Sequence, residues 1–224
     1  MYLLRELYYK SFILYGDYVG KHPDELRHLS FISGHFGYDY AKSLMPSRYS
    51  FTFLRHPCER ILSLYYFSRT RDPDQFPVYR IAQECSLEEF LEAGLQTGMV
   101  KKHIWNHQAW QLAHGWYSLT NKSLEDFSSD EILDLARSHL GDLSYVGLTE
   151  TFDADCANIL KALKIYFPDK MAVINATGSR HSLQDLSPTA RELLEELTFL
   201  DRKLYEEVLI RRKQLNDLQN TEKT

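Results

Sequence analysis

Several things are scarce in this sequence, and each scarcity removes a class of protein. Its three cysteines, Cys58, Cys85 and Cys156, are too few and too scattered for a disulfide framework, and no CxxC pair or His/Cys cluster has metal-ligand spacing. They read as buried, unreactive thiols. Ten glycines and seven prolines are too few for a low-complexity or fibrous chain. No apolar run approaches the roughly 18 to 20 residues that cross a bilayer. The opening stretch MYLLRELYYKSFILYG carries Arg5, Glu6 and Lys10 among its apolar residues, which is unlike a signal peptide. Positive charge is also short: 26 Lys and Arg face 31 Asp and Glu, a formal net charge of −5, whereas a general nucleic-acid binder needs a basic surplus. Any anion site must be local. No GxxxxGK[ST] loop occurs, which disfavours a nucleotide kinase.

What is present points to a folded chain. Fifteen Tyr, twelve Phe and three Trp in 224 residues, with 44% hydrophobic residues, argue against disorder and provide one sizeable core. A single globular domain over 1–215 with a polar tail at 216–224 is the simplest organisation. Leu3, Leu4, Leu7, Tyr8, Ile13 and Leu14 recur at near-helical intervals and predict an amphipathic helix over 2–15. SFIS before Gly34 and YSFTFL before Arg55 are strand-like, and YDYAKSLM between them suits a short helix, so the two strands are expected to pair in parallel. A helix should open at Pro57 with Ile61, Leu62, Tyr65 and Tyr66 on its apolar face.

Ser86 with Glu89 and Ser128 with Glu131 have the capping-box interval and predict helices near 87–94 and 129–140. KKHIWNHQAWQLAHG reads as helical up to Gly115, followed by a polar loop. LSYVGL and MAVIN are two further strand candidates, with a helix over about 152–166 between them. Ser187-Pro188 starts a last helix that runs to about Gln214. The sum is a three-layer α/β domain with a small central parallel sheet flanked by helices.

The stretch YSFTFLRHPCERILSLYYFSR, residues 49–69, carries the chemistry. A strand ending at Arg55 and feeding a helix at Pro57 sets a guanidinium beside unpaired helix N–H groups, at the sheet edge where open α/β folds bind ligands. Arginine's planar fork suits a phosphate, and Ser63 two turns on could add a hydroxyl. The same residues also fit a plain alternative, in which Arg55 pairs with Glu59 at the surface and Ser63 is a small packing residue.

FTFLRHPCERILSLYYF resembles the 3′-phosphate-binding segment of sulfotransferases that use 3′-phosphoadenosine-5′-phosphosulfate (PAPS), in the branch of the heparan sulfate 2-O-sulfotransferases and their bacterial relatives. SGHFGYDYAKSLMP before it, then NHQAWQLAHG (106–115), YVGLTETFDADCANILKAL (145–163) and FLDRKLYEEVL (199–209) follow in the order of that family's landmarks. The resemblance covers nearly the whole chain. It implies a sulfotransferase-like fold related to P-loop NTPases, and in-line transfer of a sulfuryl group from PAPS to a hydroxyl, of a saccharide in this branch, without a metal. Arg55 and Ser63 would hold the nucleotide's 3′-phosphate. His35 would take the acceptor's proton, a task that suits a neutral imidazole near pH 7. Arg180, in NATGSRHS, would reach the nucleotide from a covering loop. The implied partners are the nucleotide donor and a hydroxyl acceptor, and the implied location is cytoplasmic for a bacterial chain or the Golgi lumen for a piece of a eukaryotic one.

The sequence departs from the family's pattern in three places. Ser33 stands where the branch often has a second histidine, so no paired-histidine base is available. His56 stands where relatives have Asp. The strand and Pro-Lys-Thr-Gly-Gly-Thr-Ser loop that cradle the 5′-phosphosulfate are not found before residue 2, which leads to the expectation of a shortened, inactive form. A non-catalytic anion-binding or protein-interaction domain is the alternative. His103, His107 and His114, at intervals of four and seven, have no carboxylate or thiol partner for a metal and read as a polar helix face.

Overall fold

A computed structural model of the chain describes residues 12–13, 17–96, 98–166 and 183–221. Aromatic and β-branched runs form the strands β1 (Phe12–Ile13), β2 (Phe31–Ile32), β3 (Phe51–Leu54) and β4 (Tyr145–Leu148). β1 pairs with β2 and β3 with β4, both in parallel, with Phe51 opposite Tyr145 and Leu54 opposite Leu148. The helices are α1 (Tyr38–Ala41), α2 (Pro57–Ser68), α3 (Pro77–Glu84), α4 (Leu87–Gln96), α5 (Gly98–Ile104), α6 (His107–Ala113), α7 (Ser129–Leu140), α8 (Phe152–Ala162), α9 (Pro188–Leu197) and α10 (Phe199–Thr221). The protein is thus a mostly helical α/β protein with small parallel pairings, the class expected from its sequence.

Several helix starts follow from local chemistry. Proline occupies the first turn of α2, α3 and α9, where its missing N–H leaves no bond unmade. Ser128 N donates to Glu131 Oε2 at 2.8 Å while Glu131 N donates to Ser128 Oγ at 3.2 Å, and Ser86 and Glu89 make the same reciprocal pair. Both capping boxes were legible in the sequence.

The chain divides into two compact units, Met1–Ser50 with Ala109–Ser144, and Phe51–Gln108 with Tyr145–Thr224. In the first, Ile13, Tyr18, Leu26, Tyr40 and Leu44 form a core, with the fully buried Tyr18 ring meeting Phe36 and Tyr117 edge-on. In the second, α2 buries Cys58, Ile61, Leu62 and Tyr65 against apolar side chains of α3, α4, α5 and α9.

Four readings of the sequence need correction. Phe12 and Ile13 belong to a strand and not to a helix over 2–15, because their backbone pairs in parallel with Phe31–Ile32, as suits residues of high β-propensity. The rest of that stretch lies outside the described residues, as do MAVIN and the loop that holds Arg180. The two runs flanking α1 were expected to pair with each other, yet β2 takes β1 and β3 takes β4. The helix expected through Gly115 breaks between α5 and α6, at Asn106 with φ +40°. The last helix breaks at Thr198, and its second half extends past Gln214 to Thr221. Both breaks have one cause. Asn106 Oδ1 accepts hydrogen bonds from Leu200 N (2.7 Å) and Asp201 N (3.2 Å), capping α10 from a distant segment, while Asn106 N donates to Leu197 O at the end of α9 (2.7 Å).

A buried carboxylate ties β4, α8 and α10. Asp155 accepts from Tyr145 Oη (2.7 Å), Leu148 N (2.8 Å), Thr151 Oγ1 (2.7 Å) and both terminal nitrogens of Arg212 (2.8 and 2.7 Å). Burial by itself would raise this carboxyl; the hydrogen bonds, led by those from Arg212, outweigh it and hold the group at about 2, down from 3.8. A depressed carboxyl stabilises the fold above its unfolded value and ceases to do so as pH falls through its folded one. The contribution, about 2 kcal/mol, should therefore be complete above pH 3.8 and vanish toward pH 2. Urea unfolding measured from pH 6 to pH 2 should show this loss in the wild type, and Asp155→Ala, which strands Arg212, should lower stability by about 3 kcal/mol at pH 7. An identical acid limb in Asp155→Ala and wild type would show that the tie does not have this strength.

Candidate active site

Arg55 stands directly after β3, and its main chain is held by a side chain. Arg55 N donates to Gln108 Oε1 at 2.8 Å and Gln108 Nε2 donates to Arg55 O at 2.9 Å, so one primary amide closes both backbone groups as a neighbouring strand would. Gln108 is itself anchored, since its N–H donates to Asp201 Oδ2 at 3.2 Å. Asn106, His107, Gln108 and Asp201 are all buried. The landmarks NHQAW and FLDRKLY thus meet in one polar knot beneath the strand end.

Positive charge gathers at this junction. Arg60, one turn into α2, donates Nη1 to His103 O at 3.0 Å. Burial lowers its pKa to about 10, Asp201 opposes that shift, and the charge of Arg55 adds to it. The Arg60 guanidinium remains charged at neutral pH. His56 N donates to Glu150 Oε1 at 2.7 Å, and the His56 ring lies edge-on to Tyr205. Tyr205 is pushed up to about 12 by burial and by the neighbouring Glu150 charge. Ser63 is half-buried on α2. At 100° per residue it lies on the side away from Cys58, Ile61, Leu62 and Tyr65, so its hydroxyl is not part of the apolar core.

His35 lies in the first unit, in the turn between β2 and α1, and is exposed. Its N–H donates to Tyr18 Oη at 2.9 Å, and its carbonyl accepts from Gln111 Nε2 at 3.2 Å. Two glycines make the turn possible. A Cβ on Gly34 would come within 2.2 Å of the Tyr18 ring, and one on Gly37 within 2.1 Å of His114 O. The motif SGHFG therefore packs the chain closely on both sides of His35 and presents an imidazole from a fixed backbone.

The structure brings Arg55 and Ser63 into one unit, at a strand end and on the helix that follows. It places His35 in the other unit, and Arg180 lies outside the described residues. Gln108, Asn106 and Asp201 were missed as individual residues, and the only signal for them was the pair of landmark segments in which they sit. The three histidines are corrected: His107 and His114 are buried, with His107 Nδ1 against Lys102 O at 3.0 Å and His114 stacked on Trp110, so they do not form a polar face. Of the cysteines, Cys58 is buried, while Cys85 and Cys156 are half-buried. Burial pushes all three thiols up, Cys156 to about 11, which keeps them protonated and unreactive. Among the described residues no group of three His, Cys, Asp or Glu side chains is placed to hold a metal, and no helix is long and apolar enough to cross a membrane.

A parallel strand that ends in a fixed arginine and runs into a proline-led helix defines an α/β protein suited to an anionic ligand. The family model of the sulfotransferase family matches residues 21–206, most of the chain, and the chain belongs to that family. Neither a curated protein nor a solved structure matches it.

The hold on Arg55 can be tested without a ligand. Gln108→Ala removes both bonds to its main chain and should lower stability by about 1 to 2 kcal/mol. Hydrogen exchange at the Arg55 amide should quicken about tenfold or more, while Arg60, whose N–H is bonded to His56 O at 2.9 Å within α2, keeps its protection. Unchanged exchange at Arg55 would mean that Gln108 does not hold it.

Proposed function

We propose that the protein is a PAPS-dependent sulfotransferase that acts on a hydroxyl, of a saccharide if it follows the 2-O-sulfotransferase branch. The observation that carries the reading is Arg55, fixed through Gln108 at the carboxyl end of β3 with the charged Arg60 beside it. The residues fit a phosphate-bearing nucleotide. Arg55 offers a planar pair of donors, Ser63 lies off the core side of the helix that follows, and a second guanidinium raises the local positive potential in a chain of net negative charge. PAPS, when bound, supplies a sulfuryl group already activated on a phosphate leaving group.

The chain's own residues have separate tasks in this reading. Arg55 and Ser63 bind and orient the 3′-phosphate, and Arg180, in NATGSRHS, adds a cation. His35 accepts the proton of the acceptor hydroxyl on an imidazole nitrogen; its exposure gives an acceptor access, and its pinned backbone limits how far the ring can wander.

Two measurements test the reading. Titration with adenosine 3′,5′-bisphosphate should give saturable binding that Arg55→Ala weakens by about 1.5 to 3 kcal/mol, the range of a charged hydrogen bond; equal affinity would remove Arg55 from the site. In a PAPS-dependent transfer assay, His35→Ala should reduce turnover by roughly 10² to 10⁴ with the melting temperature almost unchanged. Turnover intact with a large loss of stability would make His35 a structural turn residue.

A further inference from the structure

The second unit contains a cavity of about 540 Å³ at the start of α2, walled by Cys58, Leu183, Leu194 and the polar side chains of His56, Arg191, Glu195 and Arg202. Its Cys58 wall lies on the other side of α2 from Ser63. Cys58 belongs to the buried face of α2, and a rotation of 100° per residue sets Ser63 roughly 140° away from it. Neither Arg55 nor Ser63 is among the described residues that line this cavity.

His56 Nδ1 and Arg202 Nε are both buried and, among the described residues, have no hydrogen-bond partner. A buried guanidinium or imidazole nitrogen left unpaired carries a desolvation penalty that a bound acceptor removes. Arg191 is steadied by a bond from Nη2 to Gln184 O at 2.8 Å. Two guanidiniums against the single carboxylate of Glu195 leave the lining net positive. His56 is also the N-cap of α2 and makes no side-chain cap bond, so the positive end of this 12-residue helix adds to the potential. Cys58, Leu183, Gln184 and Leu194 complete the wall.

We propose that this cavity is a second oxyanion site, which takes a sulfate or phosphate monoester: the charged group on Arg202, Arg191 and His56, its ring-sized carrier against Leu183 and Leu194. A bare tetrahedral anion would leave most of the space and all of the apolar wall unused. A carboxylate in place of His56 would repel such a ligand.

The test uses the full chain, titrated calorimetrically at constant ionic strength with 4-nitrophenyl sulfate, inorganic sulfate and 4-nitrophenol. The ester should bind saturably and about tenfold tighter than inorganic sulfate, and 4-nitrophenol should compete poorly. Arg202→Gln, which keeps the side-chain stem, should weaken the ester about tenfold or more; His56→Asp should do the same, and it gives a second reading should one variant fold poorly. Arg55→Ala should leave ester binding within about twofold while it impairs binding of adenosine 3′,5′-bisphosphate, which separates this site from the donor site. Ester binding that survives both Arg202→Gln and His56→Asp, or that is lost in Arg55→Ala, would overturn the proposal. Equal affinity for inorganic sulfate and the ester would overturn the monoester assignment, and 4-nitrophenol binding as tightly as the ester would reduce the cavity to an apolar hole.

Discussion

The amide of Gln108 closes both main-chain polar groups of Arg55, and the geometry around the strand end depends on that closure. A strand that ends beside a functional side chain has to stop pairing without leaving its last N–H and C=O exposed in a buried setting. β4 pairs with β3 only as far as Leu148 opposite Leu54, so one residue further the ladder has no strand to offer. A glutamine side chain there supplies a donor and an acceptor at the spacing of a peptide group. Because Gln108 is held in turn by Asp201, and α10 by Asn106, the position of Arg55 is coupled to the break between α9 and α10. A substitution anywhere in this knot would act on the arginine without touching it.

The same unit uses a second buried tie of a different kind. Asp155 and Arg212 form a bidentate pair in which the carboxylate also accepts three further bonds. Burying an ion pair is favourable only when such extra bonds compensate lost hydration, and here they do, since the carboxyl ends well below its ordinary range in spite of burial. The two ties converge on α10: Asp201 and its cap in the first turn, Arg212 eleven residues further along the helix. α10 buries Leu200, Leu204 and Val208 in its first half but leaves Ile210, Leu215 and Leu218 exposed, and the polar ties add to the hold of that short apolar face.

The sequence made the helix starts, the class of the fold and the strand-arginine-helix junction legible because these are local. Ser128 needs only Glu131, and Pro57 only its own ring, to mark where a helix begins. The strand partners were misread because pairing is settled between distant segments: Phe31–Ile32 could take either neighbour on periodicity, and only the packed chain shows that it takes Phe12–Ile13. The breaks at Asn106 and Thr198 were invisible for the same reason, as an asparagine in a helical pattern does not reveal that its oxygen caps a helix some 95 residues away. The histidines misled because helical spacing was extended across a point where the helix stops. For the candidate site, the place of Arg55 at a strand end and of Ser63 on the helix that follows was readable from order along the chain, whereas the hold by Gln108 was not, since nothing in NHQAW indicates an orientation toward the main chain of a strand end.

Charge gives the last connection between fold and function. The chain is net negative, yet its second unit gathers Arg55, Arg60, Arg191 and Arg202 around the two ends of one short strand-to-helix passage. Arg60 is reconciled to burial by His103 O and by the charge of Asp201, so it belongs to the architecture as well as to the local field. Arg202 is not reconciled in this way. A protein that only needed stability would gain by replacing such a side chain with an apolar one of similar size, and its neighbours Leu200, Leu204 and Val208 on α10 are all buried apolar residues. A guanidinium whose Nε lacks a hydrogen-bond partner among the described residues raises the energy of the empty site, and so increases what an anion gains by entering.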